Sequence, residues 1–212
     1  MAICTMASVP SRKRTSSVTR RAALGGTLAV TLAAALPARA MTEADAHAAI
    51  DRVVQDINKV INSGQSESAM LKEFQGIFSR YADVPTIARA ALGPPARSAT
   101  PAQMRAFTDA FSAYISRKYG KRFREFIGGK VEVTGVRTLK SFYEVQAIAV
   151  LQGEAPFAVS FMVSDKSGSV RFFDMLIEGI SLLKAEKSEI GAMLDQAHGN
   201  IDTLIQMVQG AG

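Results

Sequence analysis

Residues 142–181 read FYEVQAIAVLQGEAPFAVSFMVSDKSGSVRFFDMLIEGIS. Three runs, 142–152, 155–164 and 169–177, are rich in Val, Ile, Phe and Tyr. Gly153-Glu154 and Lys166-Ser167-Gly168 separate them. β-branched and aromatic enrichment favours strands, and short glycine-bearing links favour hairpins. Tyr143, Val145, Ala147, Ala149 and Leu151 form one apolar face, and Phe157, Val159, Phe161 and Val163 form another. A further strand is predicted over 131–137, so the stretch reads as an antiparallel meander of four strands.

Outward from this meander the period changes from two to between three and four. Over 42–63, Ile50, Val53, Val54, Ile57, Val60 and Ile61 recur at helical steps, with Thr42 as N-cap and Gly64 as stop. A second helix is predicted over 67–81. A short one follows Asp83-Val84-Pro85 and stops at Gly93, before the break at Pro94-Pro95. Thr100-Pro101-Ala102-Gln103 combines an N-cap, a proline in the first turn and the Gln of a capping box, and starts a helix expected to reach about Ile127. After Gly179 a helix is expected over 182–197 and another over 201–208, broken at Gly199-Asn200. This order predicts an α+β fold, with helices packed on one face of a curved, mainly antiparallel four-stranded sheet enclosing an apolar pocket.

The N-terminus reads differently. Arg12, Lys13, Arg14, Arg20 and Arg21 precede a weakly apolar run from Ala22 to Leu36, which ends in Pro37-Ala38-Arg39-Ala40. A basic segment, an apolar segment and an A-x-A site make residues 1–40 an export signal, expected to be removed, with 41–212 as a single domain. Thr19-Arg20-Arg21-Ala22-Ala23-Leu24 resembles the twin-arginine pattern, although Ala23 stands where an aromatic is usual. Arg39 beside the cut and the dilution of the run by Gly25, Gly26, Thr27 and Thr31 favour that route over general secretion.

Six of the 25 basic residues and none of the 19 acidic ones lie in residues 1–40, so the remaining chain holds 19 of each. The basic pI therefore belongs to the signal, and the domain lacks the basic excess of a nucleic-acid reader. The one cysteine, Cys4, also lies in the signal, so the domain must rely on its core rather than on disulfides or thiolate chemistry. His47 and His198 stand apart with no metal-ligand spacing. No nucleophile elbow, P-loop or dinucleotide fingerprint is present. Asp174 and Glu178, four residues apart, are the candidate carboxylates for a small α+β hydrolase or isomerase; the structural alternative is a helix cap and a loop-fixing bond. A third reading is an adaptor with a filled core.

Two segments carry a family resemblance. Phe78-Ser79-Arg80-Tyr81-Ala82-Asp83-Val84-Pro85-Thr86-Ile87-Ala88 resembles an element with the pattern D-V-x-x-I-A. Val170-Arg171-Phe172-Phe173-Asp174-Met175-Leu176-Ile177-Glu178-Gly179-Ile180-Ser181 resembles a D-x-x-I-E-G-V-S signature. Both are similar to the MlaC/toluene-tolerance family. The usual Trp is Val170 here, and Glu186-Lys187-Ser188-Glu189-Ile190 replaces the usual Arg and Phe of the following pattern, which suggests a divergent branch such as the hopanoid-associated members. The resemblance implies a periplasmic phospholipid-binding carrier that serves an ABC transport system and outer-membrane lipid asymmetry. It implies an inner-membrane transporter complex and an outer-membrane lipid-handling complex as partners, no cofactor and no catalysis.

On that reading the acyl chains lie between the sheet and the helices over 67–127, and the head group stays exposed. The expected lining is Phe78, Tyr81, Phe107, Phe111, Tyr114, Val145, Ala147, Val159, Phe161, Val163, Phe172 and Met175, with the phenols of Tyr81 and Tyr114 at a wet mouth. Small Ala147 and Ala149 beside large Phe are expected to leave space for the ligand. Since the lining offers no charge for a phosphate, head-group selectivity is expected to be weak.

Overall fold

The computed structural model describes residues 40–120 and 125–212. The predicted signal at 1–40 therefore lies almost wholly outside the described residues, as does Phe123. Four helices come first: α1 (Glu43–Ile61), α2 (Glu67–Tyr81), α3 (Val84–Leu92) and α4 (Pro101–Gly120), with a 3-10 turn at Pro94–Arg97. The strands β1 (Lys130–Leu139), β2 (Phe142–Val150), β3 (Phe157–Ser164), β4 (Arg171–Ile177) and β5 (Ile180–Ser181) follow, then α5 (Leu182–Gln196) and α6 (Ile201–Gly210). The sheet is antiparallel throughout, in the order β1-β2-β3-β4-β5. The α+β meander is as predicted, with a two-residue fifth strand added.

The caps explain where the helices begin. Thr42 and Asp45 form a reciprocal capping box on α1, and Thr100 and Gln103 form another on α4. Helix α4 does not run straight to Ile127: it is described to Gly120, and Glu125–Phe126 form a 3-10 turn. Gly120 is where α4 meets α2, since a Cβ there would lie 2.3 Å from Leu71 Cδ2. Arg117 donates to the carbonyls of Val208, Gln209 and Ala211 and so closes the open end of α6.

Helix α1 lies along β1, with further contacts to β2 and β3. The Asn58 side chain clamps it there, donating to Val131 O and accepting from Val131 N at 2.9 Å each. Toward the other end of the strand order, α5 packs on α3 and β4. Among the described residues no helix is long and apolar enough to cross a membrane.

Candidate functional site

The two sequence signatures meet at β4. Asp83 caps α3 by accepting from Thr86 N, while its own N–H donates to Phe172 O at 2.8 Å. Arg171 Nη1 reaches back to Ala82 O. The corner between α2 and α3 is thereby sewn to the start of β4. At the other end of the strand, Glu178 (φ 48°) and Gly179 (φ 78°) both adopt the left-handed conformation that a tight primed hairpin between β4 and β5 requires. The Glu178 carboxylate accepts from Ala158 N. Ser181 caps α5, and Asp174 accepts from Ser181 Oγ at 2.6 Å, Leu183 N at 3.0 Å and Met175 N at 2.8 Å. Asp174 and Glu178 are thus engaged with backbone and cap groups, and together they set the point where α5 leaves the sheet.

Between these elements lies an apolar cavity of about 400 Å³. Phe74, Ile77 and Phe78 of α2, Ile87 of α3 and Phe111 and Ile115 of α4 form its helical side. Val159, Phe161, Phe172, Phe173, Met175 and Ile177 form the sheet side, and Leu182, Leu183 and Glu186 close it from α5. Val53 and Ile57 of α1 reach its inner end, and Val131, Leu151, Phe126 and Phe157 line the end of the sheet. The lining residues Gln75, Glu125 and Glu154 are exposed and mark the rim. The volume falls in the range of small-molecule sites, about 300–1,000 Å³.

Six residues expected at the lining do border this cavity: Phe78, Phe111, Val159, Phe161, Phe172 and Met175. The other six sit elsewhere. Val145, Ala147 and Val163 are buried in the core beyond it, and Phe107 stacks on Phe111 within the helical layer. The Tyr81 hydroxyl donates to Asp56, at 2.8 Å. Tyr114 is 1% exposed and its hydroxyl donates to Glu189, at 2.6 Å, so neither phenol stands at a wet mouth. The tyrosine that lines the cavity is Tyr119.

A bulge explains why Phe172 and Met175, an odd number apart, both face inward. Phe161 pairs with Met175 and Met162 with Asp174, but Val163 pairs with Phe172, which leaves Phe173 as the extra residue. Strict alternation would have turned Phe172 outward.

The polar feature that sequence reasoning missed is a cluster between α4 and α5. Lys118 Nζ donates to Glu186 Oε1 at 2.8 Å, to Glu189 Oε2, and to the Tyr114 hydroxyl at 2.9 Å. The Tyr119 hydroxyl also donates to Glu186 Oε1. Burial works against the Lys118 charge, but the bonds to Glu186, Glu189 and Tyr114 outweigh it and hold the ammonium above its usual range. Burial, followed by the carboxylate contacts, pushes both phenols upward. The hydrogen bond from Lys118, with that from Tyr114, lowers Glu189. A signal for Glu186 was present in the sequence: it occupies the buried stripe of α5 formed with Ile190 and Leu194.

Comparison with known proteins agrees with this architecture. The family model of the MlaC protein matches residues 48–209. The chain belongs to the MlaC family. A phospholipid-binding protein from Ralstonia solanacearum, solved in complex with a phospholipid at 1.53 Å, shares the fold with a TM-score of 0.68. It is 20% identical, and the match covers 78% of this chain and 96% of that one. Both signatures of this MlaC chain thus serve to build the wall of its cavity.

Proposed function

We propose that this MlaC-family chain is a periplasmic phospholipid carrier, which holds acyl chains in the cavity and moves lipid between membranes as part of an ABC transport system. The observation that carries the reading is the apolar cavity between β3, β4 and the helices. Two acyl chains hold about 30 methylenes, each favoured out of water by about 0.8 kcal/mol. Moving them unshielded through water would cost on the order of 20 kcal/mol. A preformed apolar wall removes that barrier without any bond being made or broken. Membership of the family and the phospholipid bound by the Ralstonia solanacearum protein support the ligand class.

The chain reaches its working compartment through the signal at 1–40, by the twin-arginine route, and matures near Met41. Support comes from where the fold takes hold: Met41 N donates to Asp165 Oδ2 at 3.2 Å, and Met41 O accepts from the Tyr143 hydroxyl at 3.0 Å. Residue 41 is thus tied to the sheet, whereas Ala40 is exposed.

The test is lipid transfer between donor and acceptor vesicles held apart by a membrane that passes protein only. Transfer proportional to the amount of protein is expected, and transfer no faster than in buffer would reject the carrier reading. For the route, replacing Arg20 and Arg21 by Lys is expected to abolish export.

A further inference from the structure

We propose that the rim of the cavity docks on the surface of a lipid bilayer, with Val150 and Ile180 inserted at the level of the acyl chains, so that lipid passes between bilayer and cavity without entering water. The proposal rests on the lipid-binding reading and adds to it the surface through which the cargo is exchanged.

Among the described residues four large apolar side chains stand exposed: Ile127, Ile148, Val150 and Ile180. Single exposed apolar residues are ordinary, but these four lie around one end of the cavity. Ile127 follows Phe126 and Val150 precedes Leu151, and both of those neighbours line the cavity. Ile180 pairs with the lining residue Ile177 and is 68% exposed. Contacts between the segments join them into one patch. A Cβ on Gly129 would lie 2.7 Å from Val150 O and 3.0 Å from Phe126 O, which places the chain around Ile127 against the end of β2. Ile148 pairs with exposed Ala158, and Glu178 N donates to Ala158 O at 2.9 Å, which carries the patch on to the turn before Ile180. Ala155 and Pro156, exposed beside the rim residue Glu154, add further apolar surface.

The composition of the patch selects its occupant. Cores of protein–protein interfaces are enriched in aromatic residues, Met and Arg, and binding hot spots in Trp, Tyr and Arg. This rim offers Ile, Val, Ala and Pro, whose match is hydrocarbon. Lys130 pairs with Glu132, and the Glu178 carboxylate accepts from Ala158 N, so neither brings an unpaired charge to the bilayer. Docking at the boundary between head groups and acyl chains leaves exposed Glu154 in the wet layer. Position agrees with composition. A chain emerging from a mouth whose edge already lies among acyl chains has no water layer to cross, and crossing water is the costly step for an apolar cargo.

In the experiment the mature chain is loaded with a fluorescent phosphatidylcholine and mixed rapidly with phosphatidylcholine vesicles. The transfer rate is expected to rise in proportion to vesicle concentration, as contact requires, and to persist at about 1 M salt, because apolar insertion is not screened. With Val150→Glu and Ile180→Glu combined, the protein should load as much lipid as before, since neither side chain lines the cavity. Its transfer rate should fall about tenfold or more, the worth of burying one large aliphatic side chain. Ile180→Ser alone should give a severalfold fall, a second readout should the double variant not fold. Gln146→Glu, exposed on the same face of β2 but farther from the rim, should transfer at the unaltered rate. A rate independent of vesicle concentration would overturn the proposal, because the lipid would then be leaving through water. So would rim variants that transfer at the unaltered rate, an equal fall in Gln146→Glu, or loaded protein that gives up its lipid only when the vesicles carry a membrane protein. Failure to load any lipid would instead reject the carrier reading on which the proposal stands.

Discussion

The inner face of the sheet has two halves that share the same apolar alternation and have opposite fates. On β2, Val145, Ala147 and Ala149 are sealed, at 0%, 2% and 0% exposure, with α1 lying over this side of the sheet. On β3 and β4, Val159, Phe161, Phe172 and Met175 face the cavity. The cavity touches the first half only at its end, through Val131 and Leu151. Small residues here do not leave space for a ligand. They let a helix approach closely, and Ala46 on α1 is buried in the same core. Large side chains hold the opposing layers apart and so line the space. A packed core and a binding site can thus share one sheet, with the side-chain size on each strand deciding between them.

The largest effect that sharpens this contrast is expected at Ala147→Trp. On the sealed half it should cost about 3 kcal/mol or more of folding stability, at or beyond the usual range for overpacking, measured by urea unfolding. A variant of unchanged stability that has merely lost its ligand would show that the cavity extends to β2. Next comes Asn58→Ala, which breaks the clamp between α1 and β1. The Val131 peptide would lose both partners, and a loss of about 1–2 kcal/mol is expected by the same measurement. On the open half, Met175→Trp should change stability by less than about 1 kcal/mol, because it fills space rather than displacing packed atoms. Its mark should be a severalfold fall in copurifying lipid, quantified after solvent extraction.

The smallest effect lies in the pH dependence of the cluster that joins α4 to α5. Glu189 is lowered from 4.5, so its contribution is complete above that value and is lost as pH falls through the lowered one. Lys118 is raised from 10.5, so its contribution holds below 10.5 and is lost as pH rises past the raised value. Tyr114 and Tyr119 are raised from 10.0, so above about pH 10 the unfolded chain ionises first and stability falls. The cluster's contribution to the urea midpoint should be level from about pH 5 to 10 and decline at both ends. Lys118→Met should flatten the acid slope, and equal slopes in the two proteins would remove the cluster from the account.

Much of the fold was legible because its signals are local. Caps at Thr42 and Thr100, period-two faces in the meander and glycine-bearing turns each act within a few residues, and α2 spans Glu67–Tyr81 as predicted. The site was legible only in part because its geometry is not local. The bulge at Phe173 shifts the face of β4, and strand alternation alone does not show it. Whether Ala147 meets a helix or a ligand depends on where α1 lies, which is set by the Asn58 clamp on Val131, a pair 73 residues apart in the chain. Tyr114 is sealed rather than at the mouth, and Tyr119, which the sequence reading did not place, lines the cavity, because their partners, Glu189 and Glu186, come from α5, a helix predicted without reference to the pocket.

The central claim is that the open half of the sheet exists to hold a lipid, and native mass spectrometry of the mature chain purified without detergent tests it most directly. The account predicts a mass above that of the polypeptide by one or a few intact lipids, in whole-number stoichiometry, released unmodified on activation. The bare polypeptide mass alone would contradict it.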